Sequence, residues 1–364
     1  MKIPASDFEI TVPSLLFDPE VYLFDFSGTR SKFLIVPENL QAESPFIDIR
    51  FEPFAQAQFS VATKSLFALE DQHNNERPKI NFIFHHAFVC STLLARCLNQ
   101  SSAFFSLKEP WIFRRLADFK RNQAESISQT QWQQMFLKNT SLLAKNYHTG
   151  NSIVVKATNV ANNLLEDVLT KLPDSNCLYL YSDLQSFLVS NLKKTSETQK
   201  KIPSLFHGFC QDSDFLQRFT QFQDVSDLSF LQICGLIWLI NIYNFRYVVE
   251  NTRAESVRTL DMSALLTDTT QAVAEVSSYF GHRPIDAEKA LMTQPDLMNT
   301  NAKAPGESFN SDMKQKQTDE ILYRYGSEIK QIVDWIDPMI QQLGLPDFLA
   351  GLALNNTILT DTRT

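Results

Sequence analysis

A chain of 364 residues with 44% hydrophobic and 12% aromatic content can bury one large core or two modest ones, so a single α/β domain with additions is expected. The net charge of −8, with acids and bases mixed along the chain, provides no basic stripe to neutralise a nucleic-acid backbone and argues against nucleic acid as a partner. Five cysteines (Cys90, Cys97, Cys177, Cys210, Cys234) without a CxxC pair argue against a disulfide framework and a zinc site, and fit a reducing, cytoplasmic location.

The N-terminus MKIPASDFEI lacks an apolar signal core. Residues 1–78 carry Pro and Asp punctuation and short β-like runs, VYLFDF (21–26) and KFLIV (32–36), and are expected to form an extension with a small sheet. From residue 79 to 345, apolar runs alternate with helical stretches: INFIF (80–84), helix 91–99, FFSL (104–107), a helical stretch 111–147, SIVVKA (152–157), helix 160–171, CLYLY (177–181) and helix 183–194. Each apolar strand needs a helix on both faces, so the alternation predicts a doubly wound parallel sheet. A polar stretch, 195–227, suggests an inserted loop or lid. Its phenylalanines, with Phe187, suit either an apolar acceptor pocket or core packing.

The apolar run from 230 to 242 contains Gln232 and is followed by Asn244 and Arg246, which favours a buried core helix (228–250) over a membrane span. A strand at 256–262 and a helix at 268–281 come next. The turn-forming segment 294–317 is expected to be a mobile loop before a last helix, 316–343, and 346–364 a tail.

The stretch NFIFHHAFVCSTLLARCLNQ (81–100) reads as a strand, a turn and an amphipathic helix opening on Ser91 and Thr92. The first turns of a helix leave N–H groups unpaired, so a loop folded over that end makes an anion cradle to which two hydroxyls add donors. Against the Walker pattern GxxxxGK[ST], residues 85–92 have the length and the final hydroxyl but neither glycine, and Ser91 stands in place of the lysine. An ATP or GTP hydrolase is therefore disfavoured.

The same turn resembles the 5′-phosphosulfate-binding loop of the sulfotransferases, a P-loop variant written PKSGTT or PRSGTS, with the CSTLLAR continuation similar to a bacterial branch of that family. Ala87, Phe88, Val89, Cys90, Ser91 and Thr92 fall in order on its six positions, and the last two residues agree. The resemblance covers about residues 79–340 and implies a sulfotransferase-like doubly wound sheet. It also implies 3′-phosphoadenosine 5′-phosphosulfate as donor, held by His85, Ala87, Phe88, Val89, Cys90, Ser91 and Thr92. Phe88 stands where the family's Lys or Arg contacts the sulfuryl group.

Glu109, in the segment LKEP after the second strand of this domain, resembles the family's general base; its other reading is a solvated carboxylate before a helix-starting proline. Lys156, at the end of SIVVKA, is the implied electrophilic support and could equally be a lysine leaving the sheet for solvent. YLYSDLQSFLVSNLKK resembles the nucleotide 3′-phosphate site, with Ser190 on its serine and Ser182 where its arginine would stand. Lys193, Lys194 and Lys303 are further phosphate candidates or ordinary surface lysines. TLDMSALLTDTTQAVAEVSSYFG resembles the family's late strand and helix and bears on fold alone.

His85 and His86 are consecutive, so their side chains diverge and no metal chelate is expected. His86 is a candidate cation at the cradle, against a hydrogen-bonded structural histidine. Cys90 lacks a paired base and reads as a small residue for tight packing. The leading function is sulfuryl transfer to a hydroxyl or amine; the alternatives are a scaffold that keeps the fold and a kinase with Mg²⁺ on Asp183 or Asp261. Neither the acceptor nor the oligomeric state is legible.

Overall fold

The computed structural model describes residues 3–5, 8–73, 77–123, 126–148, 152–301 and 311–354. Its centre is a five-stranded parallel sheet preceded in the chain by two small antiparallel ones. β1 (Ile3–Ala5) and β2 (Phe8–Ile10) form a ribbon, and β3 (Val21–Phe26), β4 (Arg30–Ile35) and β5 (Ala57–Ala62) form a meander. The parallel sheet contains β6 (Lys79–His85), β7 (Phe104–Lys108), β8 (Ser152–Lys156), β9 (Cys177–Tyr181) and β10 (Val257–Asp261), in the order β10-β9-β6-β8-β7. Its strands are mostly apolar because both faces are covered, and the polar residues among them, such as Asn81, Ser106 and Thr259, are buried. Phe82 and Phe84 join one core cluster, while Ile83 between them joins the other.

Helices Ser91–Leu98 and Thr269–Tyr279 cover one face, and Trp111–Gln123, Leu165–Lys171 and Phe230–Thr252 the other. The apolar run lies inside Phe230–Thr252, where Ile233 to Tyr243 are all buried. A Cβ placed on Gly235 would stand 3.0 Å from the Ile332 side chain, so this glycine permits the close approach of helix Ser311–Gln342. No helix of the described residues is long and apolar enough to cross a membrane.

Three expectations change in detail. The stretch 111–147 is two helices, Trp111–Gln123 and Gln129–Ser141, because Ser128 and Gln131 form a capping box that starts the second. The polar stretch 195–227 is packed structure. It holds helices Ser196–Gln199, Ile202–Cys210 and Phe215–Arg218, and Phe206, Phe215, Phe219 and Phe222 are buried, the last with its ring 5.8 Å from that of Trp335. The last long helix begins at Ser311. Residues 302–310, and with them Lys303, lie outside the described residues.

The meander shares its core with the parallel sheet's domain, Phe33 and Tyr22 belonging to the same cluster as Phe82. Buried lysines tie the two together through backbone carbonyls. Lys145 donates to Leu15 O and Val21 O at 2.7 and 2.6 Å, and Lys108 donates to Ala42 O at 2.8 Å. After residue 344 the chain forms helix Leu345–Gly351, and Ala353 bridges to Thr259 of β10.

Candidate functional site

From β6 the chain crosses to β7 on one side of the sheet, and from β8 it crosses to β9 on the other, so the strand order reverses at β6. In open α/β sheets the ligand crevice lies at the carboxyl ends of the strands at such a point. The turn 86–90 begins there. Phe88 (φ 70°) and Cys90 (φ 60°) both adopt left-handed backbone, a conformation that side chains other than glycine's occupy with strain of about 1 kcal/mol or more each. The position that resembles the family's loop glycine thus keeps a glycine conformation without the glycine.

Helix Ser91–Leu98 follows, and its N-cap residue Cys90 makes no side-chain capping bond. The first-turn N–H groups of Ser91, Thr92 and Leu93 therefore have no intrahelical acceptor. The Thr92 hydroxyl is buried and, among the described residues, has no hydrogen-bond partner. Asp183 and Asp261, the two carboxylates weighed as Mg²⁺ ligands, are instead helix caps: they accept from Ser186 N at 2.8 Å and Ser263 N at 2.6 Å.

Both histidines are buried and their roles differ. The ring nitrogens of His85 lie 2.7 Å from His86 O and 2.9 Å from Ala157 O. Both partners are acceptors, and a neutral ring can donate to only one of them. His86 is a receiver: its Nε2 accepts from Ser182 N at 2.8 Å while Nδ1 lies 2.9 Å from Ala87 O. Burial pushes its pKa down to about 4, so at neutral pH it is uncharged and braces the turn against the end of β9. A cation at the cradle does not come from His86.

Glu109 and Lys156 meet. Lys156 ends β8 and Glu109 directly follows the neighbouring strand β7, and the Lys156 ammonium, 1% exposed, pairs with the Glu109 carboxylate, which is 18% exposed. The bend that presents Glu109 is held by backbone: its N–H donates to Lys156 O at 2.7 Å and its φ is 56°, a third left-handed residue on the same edge. Lys156 is therefore not a lysine leaving the sheet for solvent. Lys108, one residue earlier, is wholly buried, and desolvation, aided by Arg96 and Lys156, lowers its pKa to about 7.

Of the nucleotide-site candidates, Ser182 is a structural hub. Besides the His86 bond, its carbonyl accepts from Trp238 Nε1 at 2.8 Å and its hydroxyl donates to Asp183 O at 3.3 Å. Ser190 is half-buried on helix Leu184–Leu192. Lys194, just past that helix, places its ammonium over the Phe88 ring, 4.7 Å from the centroid, so a positive charge stands beside the turn where the loop itself lacks one. Phe88 also packs on Phe187 at 5.8 Å.

Sequence reasoning did not anticipate a cavity of about 620 Å³ under helix Phe230–Thr252, lined by Arg121, Asn162, Asn163, Tyr179, Asp212 and Asn241 among others. Asn162 donates to His85 O at 3.0 Å, so one wall of the cavity abuts the last residue of β6, just before the turn. Arg121 and Asp212 form a nearly dry ion pair at 2.6 Å in that wall.

No family model matches the sequence, and no curated protein matches it. Among solved structures the chain is similar to the sulfotransferase domain from the curacin biosynthetic pathway, with 13% identity and a TM-score of 0.40 over 72% of this chain and 99% of that one. It is also similar to a sulfotransferase from Alicyclobacillus acidocaldarius (13% identity, TM-score 0.34, 61% and 89%). A third is retinol dehydratase in a complex with retinol and PAP (12% identity, TM-score 0.29, 73% and 87%). At these scores the likenesses carry no argument for an activity.

Proposed function

We propose that this chain is a sulfotransferase-like enzyme that binds 3′-phosphoadenosine 5′-phosphosulfate at the turn 85–92 and transfers its sulfuryl group to an acceptor hydroxyl or amine. The observation that carries the reading is the convergence of three left-handed residues, Phe88, Cys90 and Glu109, on one sheet edge, where an uncapped helix end and the Lys156–Glu109 pair also lie. Strain of this kind persists where the surroundings over-determine it, which is common at ligand clamps.

In this reading the first-turn N–H groups of helix Ser91–Leu98, with Ser91 and Thr92, hold the 5′-phosphosulfate, and Lys194 supplies charge that Phe88 does not. Glu109 removes the acceptor's proton as its oxygen or nitrogen bonds to sulfur. The sulfur–oxygen bond to the phosphate breaks in line, and Lys156, released from Glu109 as that carboxylate is protonated, offsets the charge gathering on the leaving phosphate oxygen. The protein's own donors carry each of these steps.

A second reading, a nucleotide-binding or scaffold protein without the chemistry, is favoured by Phe88, whose ring occupies the place of the family's catalytic cation and packs on Phe187. A thermal-shift titration of wild type and Lys156→Ala with 3′-phosphoadenosine 5′-phosphate, beside ATP with Mg²⁺, tests the donor site. A ligand of the folded state alone stabilises by about 2.7 kcal/mol at a hundredfold excess over its Kd. Binding of the bisphosphate followed by sulfuryl transfer supports the enzyme; binding without transfer to any acceptor supports a nucleotide-binding protein without the chemistry; no binding of either nucleotide removes the donor site and leaves the scaffold, and binding of ATP alone favours the kinase.

A further inference from the structure

The N-terminal segment does more than cover the core. Ile47 is stitched to both sides of the bend that carries Glu109: its N–H donates to Lys108 O at 2.7 Å, and its carbonyl accepts from Trp111 N at 3.0 Å. The residues flanking Ile47 are thereby held against the Lys156–Glu109 pair. The Phe46 ring has the Lys156 ammonium 5.8 Å from its centroid and the Arg50 guanidinium 3.7 Å from it. Arg50 is locked in turn by Asp48, which accepts from Nε at 2.8 and 3.0 Å and from Nη2 at 2.6 Å.

This fork leaves one edge of the guanidinium unused. Among the described residues Arg50 Nη1 has no hydrogen-bond partner, and the side chain is 57% exposed. Its ionised form is held by the Asp48 hydrogen bond first, with attraction from Asp48 and from Glu109 adding to it. Ile49 and Phe54 are exposed on the same segment, an apolar surface beside a fixed cation. The sheet order separates this surface from the expected nucleotide side, because Glu109 follows the edge strand β7 whereas Ser190 follows β9, on the far side of β6.

We infer that the segment 46–54 is the acceptor side of the site, and that Arg50 Nη1 receives a carboxylate on an acceptor with an apolar body. This inference rests on the donor-site reading above and adds the acceptor class to it. A guanidinium held bidentate by one carboxylate keeps a planar donor edge for a second anion, and a hydrogen bond between two charged groups discriminates strongly against a neutral isostere.

The test uses the full chain saturated with 3′-phosphoadenosine 5′-phosphate and measures equilibrium binding of 4-hydroxybenzoate against its methyl ester, for wild type, Arg50→Ala and Arg50→Lys. The wild type is expected to prefer the carboxylate by about ten- to a hundredfold, as for a charge-assisted bond. Arg50→Ala is expected to lose that preference, Arg50→Lys to keep part of it, and affinity for the bisphosphate to be the same in all three. An unchanged preference in Arg50→Ala, no binding of the carboxylate to the wild type, or weakened bisphosphate binding in Arg50→Ala would each overturn the assignment. If the bisphosphate itself fails to bind wild type, the donor reading falls, while the two phenols measured alone still report on Arg50.

Discussion

Removing the carboxylate in Glu109→Gln leaves the ammonium of Lys156, 1% exposed, without its counter-charge. Breaking a buried pair from one side costs about 3–5 kcal/mol, because the remaining ion keeps its desolvation penalty and loses the attraction that offset it. Glu109 is 18% exposed, so water reaches that side of the pair and the lower end of the range is expected. With an unfolding entropy of about 2.1 cal/mol/K per residue, 3 kcal/mol lowers the melting midpoint of a chain this long by about 4 °C. Lys156→Met should cost less, because the carboxylate left behind is the more hydrated partner. The double variant should recover part of the sum, since a Gln–Met pair is neutral and leaves no buried ion without its counter-charge. Midpoints of the four proteins by calorimetry close the cycle. A loss under 1 kcal/mol for Glu109→Gln, with additive effects in the double variant, would refute the burial argument and make the pair an ordinary surface contact.

The His86 brace gives a pH signature. Its folded pKa, about 4, lies below the ordinary 6.5, so the unfolded chain takes up the proton first; the contribution is intact above pH 6.5 and is lost as pH falls towards 4, about 3 kcal/mol in all. His86→Gln, whose amide oxygen can accept the Ser182 N–H, should flatten that slope in melts from pH 7 to 4.5. At Cys90, with φ 60°, a β-branched side chain is far worse placed than glycine. Cys90→Val should therefore lose about 1–3 kcal/mol and the bisphosphate shift, while Cys90→Gly stays within about 1 kcal/mol of wild type in the same thermal assay. Trp238→Phe removes the indole donor to Ser182 O and should cost about 1–3 kcal/mol, read by urea denaturation, by leaving a buried carbonyl unpaired.

Much of the architecture is local in origin and was legible along the chain. The apolar runs of β6, β8 and β9 announce strands covered on both faces, since Asn81 in β6 is the one polar residue that interrupts INFIF, SIVV and CLYL, and CLYLY coincides with β9 residue for residue. The start of helix Leu184–Leu192 was also legible, at its cap Asp183, whereas the short helix Met262–Thr267 that Asp261 caps was missed because its first residue was read as the end of a strand. The same chemistry concealed their role: an isolated carboxylate after a strand reads equally as a ligand or a cap, and only the hydrogen bond to its own helix separates the two.

Contacts between distant segments were not legible. That Glu109 meets Lys156 depends on β7 and β8 lying side by side, a pairing across 47 residues that no local pattern encodes. The pairing of His86 with Ser182, and the stitching of Ile47 around the Glu109 bend, depend likewise on how β9 and the N-terminal segment dock. By itself the sequence determined the five strands of the parallel sheet, their order along the chain and the turn that resembles a phosphosulfate loop, because hydrophobic periodicity and helix termini act over a few residues. Tertiary packing alone decided which charges are paired, which histidine is held neutral and which arginine lies beside the Phe46 ring, because desolvation and ion pairing depend on neighbours brought from far along the chain.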